Sequence, residues 1–83
     1  MIKVVNEPAA VLSRFNGSGF APVRMRWRDH EVRVREVTGR WTSPDGQYKI
    51  YNFAVTGEGD AYYEISFRTR DMVWYVDKVM LEN

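Results

Sequence analysis

Eighty-three residues suffice for one small domain and not for two, because shorter chains bury too small a fraction of their surface to stand alone. Apolar residues at 45%, aromatics at 14% and charged residues at 28% exclude disordered, collagenous and membrane-spanning compositions. Cysteine is absent, which excludes a disulfide framework and a thiolate metal site. No apolar run approaches the roughly 18 to 20 residues of a membrane span, residues 1–6 hold no signal-peptide core, and a cytoplasmic location is expected.

In chain order, Glu7-Pro8-Ala9-Ala10-Val11-Leu12 admits a helix with Pro in its first turn, or a strand. The strand is expected, because Asn16-Gly17-Ser18-Gly19 is a hairpin-like turn and so short a helix is marginal alone. In Val23-Arg24-Met25-Arg26-Trp27-Arg28 apolar and basic residues alternate without error, the pattern of a strand with one face in a core and one in water. Glu31-Val32-Arg33-Val34-Arg35 repeats it, and Asp29-His30 is short enough to close a two-residue hairpin. That register sets Trp27 opposite Val32 and Met25 opposite Val34, with Arg26 facing Arg33 and Arg24 facing Arg35 on the other side.

The alternation slips at Glu36-Val37, where a β-bulge is expected, and Ser43-Pro44-Asp45-Gly46 reads as a turn. Tyr51, Phe53 and Val55 then share an inward face, as do Tyr63, Ile65 and Phe67 on the next strand. Asp71 marks a further turn. Trp74, Val76, Val79 and Leu81 face inward on the closing strand, with a second slip near Lys78. Val23, Met25, Trp27, Val32, Val34 and Val37 complete the expected core. The fold class is all-β: one domain over residues 1–83, an antiparallel meander closing into a five- or six-stranded SH3-like barrel that hides its edges.

Charge is unevenly spread. Residues 1–43 hold 8 Lys and Arg against 4 Asp and Glu, whereas residues 44–83 hold 4 against 7. Arg24, Arg26, Arg28, Arg33 and Arg35 fall on one outer surface, where like charges opposite one another destabilise a strand pair. Arginine forks grip phosphate bidentately, so these five residues are the candidate nucleic-acid site. The plainer reading is that acidic neighbours such as Glu31 and Glu64 interleave with the arginines. Trp41, Tyr48, Tyr62 and Tyr75 lie off the inward faces and are candidate stacking rings.

Glu7-Pro8, Trp27-Arg28, Val34-Arg35-Glu36-Val37, Trp41 and the late aromatic strand around Trp74 together resemble a family of small bacterial β domains of unknown function. Its pattern is an N-terminal Glu-Pro, a WR-turn-VREV hairpin and a downstream Trp. The resemblance implies a bacterial, cytoplasmic, stand-alone β domain, in a family whose members are sometimes encoded near error-prone DNA polymerases.

Catalysis is not expected. His30 beside Asp29 has no serine or cysteine nucleophile near it in sequence, and a barrel this small leaves little room for a cleft holding Glu31, Glu36 or Glu64 as a carboxylate pair. Asn16-Gly17-Ser18-Gly19 lacks the lysine and helix of a phosphate loop, and Glu58 with Asp60 completes no calcium loop. The chain is expected to be a non-catalytic module without metal or cofactor, binding nucleic acid or, alternatively, docking an acidic protein partner or a partner strand.

Overall fold

The alternation becomes seven strands in the computed structural model, which describes residues 1–17 and 19–80. They are β1 (Ile2–Asn16), β2 (Gly19–Trp27), β3 (His30–Arg33), β4 (Glu36–Asp45), β5 (Tyr48–Thr56), β6 (Tyr62–Arg68) and β7 (Val73–Met80), with one short 3-10 turn at Glu58–Asp60. Residues 7–15 are strand, as the hairpin turn after them implied. Ser18 of that turn and Leu81 of the expected core lie outside the described residues.

All pairings are antiparallel, in the order β3-β2-β1-β7-β6-β5-β4. The sheet has seven strands rather than five or six, and it does not close into a barrel. The expected single strand through residues 31–43 breaks after Arg33, and its two parts become opposite edges of the sheet. Val34 and Arg35 span the gap: the Val34 N–H donates to the Val23 carbonyl at 2.9 Å and the Arg35 N–H to the Thr56 carbonyl at 2.8 Å. Two residues can strap the edges together but cannot lay a ladder between them.

β1 serves two partners. Residues 2–9 pair with β7 and residues 10–16 with β2, so the sheet folds about this strand into two layers. Met25 and Val32 from one layer meet Phe53, Val55, Ile65 and Val76 from the other in the buried cluster. Trp27, Val34, Val37, Tyr51 and Phe67 pack against it half-buried.

One bulge corrects the sequence reading, and two more lie where the alternation slips. Opposite Leu12 and Ser13, the ladder skips Val23, which leaves it half-buried outside the core and reverses the parity before it. Phe20 therefore turns inward, edge-on to Tyr51, Phe53, Phe67 and Trp74 at centroid distances of 5.3 to 6.0 Å. A second irregularity, between Val37 and Gly39, lies where the alternation slipped, and the third interrupts β7 between Val76 and Lys78. The turn expected at Ser43-Pro44-Asp45-Gly46 comes two residues later: Asp45 pairs with Tyr48 around Gly46, whose φ of 63° suits a primed hairpin turn. Pro44 is tolerated inside β4 because that strand is an edge.

Gly57 packs closely against Val32 of β3. A Cβ there would stand 2.8 Å from Val32 Cγ1 and 3.3 Å from Tyr63 Cε2. Its φ of −112° is one any residue adopts, so space alone demands glycine. Gly57→Ala should therefore destabilise the domain by about 1 to 3 kcal/mol, the usual cost of overpacking. Urea denaturation checks this, and a raised midpoint, the normal result of Gly→Ala at a compatible site, would show that β3 has room to retreat.

Candidate nucleic-acid interface

β1, β2 and β3 turn their even-numbered or matching outward residues away from the core. By register Arg24 on β2 sits between Leu12 on β1 and Arg33 on β3, and Arg26 sits between Ala10 and Glu31. Arg14 extends the same surface along β1. Arg14, Arg24, Arg26 and Arg33 are all exposed, around a Leu12 that is itself 62% exposed.

This register differs by one pair from the expected one. The hairpin turn is Arg28 and Asp29, with Trp27 opposite His30, because both central residues take the positive φ of a type I′ turn, 52° and 61°. Arg24 thus faces Arg33, and Arg26 faces Glu31. A two-residue change in pairing keeps Arg24, Arg26 and Arg33 on their predicted face.

Two of the five candidate arginines leave the surface. Arg35 lies on the strap, with its guanidinium 3.9 Å from Asp60. Arg28 folds back onto Glu7: its Nε donates to Glu7 Oε1 at 2.9 Å and its Nη2 donates to Oε2, while Trp27 Nε1 also donates to Oε1 at 2.9 Å. Glu7 is aimed there by a bulge in β1, between Val4 and Glu7, where Asn6 takes a left-handed φ of 52°. The Glu-Pro and Trp-Arg pairs of the sequence pattern are therefore one contact, between residues 20 or 21 apart.

Nor do the expected acidic neighbours neutralise the rest. Glu31 opposes Arg26 without an ion pair, and Glu64 on β6 is taken by the Tyr62 hydroxyl at 3.0 Å and by Lys78 at 4.0 Å. Across β4–β7, by contrast, Arg70 pairs with Asp45 and Arg68 with Asp77. Among the described residues, Arg14, Arg24, Arg26 and Arg33 have no such partner.

Among the four candidate rings, Tyr48 lies under the Arg70 guanidinium at 5.1 Å and Tyr75 under Arg68 at 3.8 Å. Tyr62 is half-buried; burial, then its hydrogen bond to Glu64, raises its phenol above the ordinary range. Trp41 stays exposed, at 45%. Sequence reasoning missed Phe15, 74% exposed, because it assigned no faces to residues 7–15.

An open groove of about 560 Å³ lies beside the β2–β3 turn, lined among others by Trp27, His30, Val32, Glu58 and Tyr63. The domain thus has more room than its size suggested. His30 stands exposed on β3 rather than in the turn. Among the described residues no serine, threonine or cysteine lines the groove, and no helix is long and apolar enough to cross a membrane.

The hydrogen bond from Arg28, followed by that from Trp27, holds the Glu7 carboxyl at about 2, below its ordinary 4.5. A carboxyl depressed on folding contributes stability that is complete above about 4.5 and is lost as pH falls towards about 2. Carbon-detected NMR should place the Glu7 midpoint near 2, and Glu7→Gln should flatten the fall of the thermal midpoint across that window. A midpoint near 4.5 would mean that the pair is open in solution.

The chain matches no protein-family model, no curated protein and no solved structure.

Proposed function

We propose that this chain is a non-catalytic nucleic-acid-binding module whose outer arginine surface meets backbone phosphates. The observation that carries the reading is Arg24 facing Arg33 across the ladder, with Arg14 and Arg26 beside them and no ion pair to any of the four among the described residues. Like charges directly opposite destabilise a strand pair, and a bound polyanion removes that cost. Guanidinium forks match phosphate oxygens two at a time, and Leu12 beside Arg24 offers apolar contact to sugar. A net charge of only +1 does not weaken the reading, because Asp45, Glu64 and Asp77 of the second half are engaged by cations of the other layer.

A second reading, a protein-interaction module, draws support from the open ladder. β3 and β4 each end the sheet, and β4 offers ten residues of edge to a partner strand, while the arginine surface would suit an acidic partner.

Binding to duplex DNA should weaken with salt at a log-log slope of about −3 to −4, from four phosphate contacts at roughly 0.9 each. The double substitution Arg24→Glu with Arg33→Glu exchanges one like-charge pair for another, so it should abolish binding and leave the thermal midpoint in place. Fluorescence polarisation at about 50 mM salt, where electrostatic binding is strong, measures both. A flat titration of folded wild-type protein with both single- and double-stranded oligonucleotides removes this reading and leaves the protein partner.

A further inference from the structure

β2 keeps an open side along its first half. β3 pairs with it only over residues 24–27, and the Val34 N–H adds a single bond to the Val23 carbonyl, so residues 19–22 have a ladder partner in β1 alone. β4 ends the sheet and has a ladder partner in β5 alone. The strap at Val34 and Arg35 holds these two open edges together at one end. Beyond it, among the described residues, no backbone hydrogen bond joins them.

A slot of about 490 Å³ lies between the two edges, with Gly19 and Phe20 on one side and Arg40, Trp41 and Thr42 on the other. What crosses it is a side chain: Arg40 Nη1 donates to the Phe20 carbonyl at 2.9 Å. An extended arginine with its hydrogen bond reaches about 10 Å, and two strand spacings of about 4.8 Å come to nearly the same. The most the slot admits is a single strand.

Unpaired edges invite a partner strand, and proteins blunt them with bulges and proline. In β4 the irregularity between Val37 and Gly39 blunts one end and Pro44 the other, which leaves residues 39–43 in regular register. Width decides what can enter. A second copy would bring its β4 with β5 behind it, and β2 stands in the way of that second strand. A free extended segment has nothing behind it. The lining holds one cation, Arg40, and no carboxylate, and Phe20, Tyr51 and Phe53 supply rings that pack in or against the core. Arg40 lies opposite Phe53 and shares its inward face, so an added strand meets the guanidinium and the rings with side chains at alternate positions.

We infer that the slot takes one extended peptide segment of a partner protein, which pairs with β4 and the first half of β2 as an eighth strand and sets an acidic side chain on Arg40 and an apolar one on the rings. The inference rests on the interaction-module reading above and names its site and the chemistry of its partner. Main-chain bonds to two open edges supply affinity, and the inward side chains supply choice.

A library of random short peptides panned against the whole chain supplies the probe, and the enriched peptide is then titrated into isotope-labelled protein and followed by NMR. Enriched sequences alternate apolar and acidic residues, and the backbone amides of residues 19–21 and 39–43 shift and gain protection from hydrogen exchange. Methylating alternate peptide nitrogens abolishes binding. Glutamine in place of the peptide's acidic residue, a change that leaves the protein untouched, lowers affinity about tenfold or more, and Arg40→Met removes that difference. Affinity indifferent to methylation or to the glutamine exchange, or shifts confined to β3 or to the arginine surface, overturns the inference while the interaction reading stands. No enrichment against folded protein overturns both.

Discussion

Two residues, Val34 and Arg35, carry the chain from one edge of a seven-stranded sheet to the other. That constraint sets the shape of the molecule. A flat sheet would hold β3 and β4 several strand widths apart, so the sheet must curl until a two-residue strap reaches, hydrogen bonded once to each side. Curling presses Val32 against Gly57 and lays Met25 over the side chains of β5, β6 and β7. Bulges at Val23 and beside Asn6 and Thr38 supply the local bends that regular strands resist.

The same curl divides the charges. On β4–β7 each of Arg68, Arg70 and Lys78 has a carboxylate beside it, in pairs that fasten turns and neighbouring strands. On β1–β3 Arg14, Arg24, Arg26 and Arg33 face outward as a group, while Glu7 is already bound by Arg28 and Trp27 and Glu31 opposes Arg26 without an ion pair. Glu7 thereby stabilises the turn, where Arg28 adopts a left-handed conformation that costs an ordinary residue about 1 to 2 kcal/mol. It does nothing to neutralise the surface beyond. The positive potential of the β1–β3 layer follows from this division rather than from net charge.

The faces of the strands were legible in the sequence because side-chain direction depends only on parity. Met25, Val32, Phe53, Val55, Ile65, Trp74 and Val76 were placed by alternation alone, and the mistaken hairpin register, off by an even number, moved none of them. Position along the chain was less legible. Nothing in composition marks Arg28 as a residue that will take a positive φ, and Pro44 reads as a turn former until β4 is known to be an edge. Phe20 was lost to a single bulge that reversed parity. The Glu7 contact spans 20 residues and depends on another bulge, so no local window could contain it. Strand count failed for a related reason, since a break and a bulge look alike where alternation slips at Glu36 and Val37.

Pairing of β1 with β7 has a consequence for how the domain is made. Ile2 lies opposite Met80, so the centre of the sheet joins parts of the chain that are most distant in sequence, while every other ladder joins neighbours. The hairpins β1–β2–β3 and β4–β5–β6–β7 can each assemble from local contacts, but until the seam between them closes neither layer has a partner for its apolar face. Bringing those ends together costs chain entropy before any of the shared core rewards it. Closing that seam is therefore the step of assembly that local contacts do not prepare. A nascent chain reaches it only after β7 has been synthesised, with Phe20, Met25 and Val32 exposed to solvent until then.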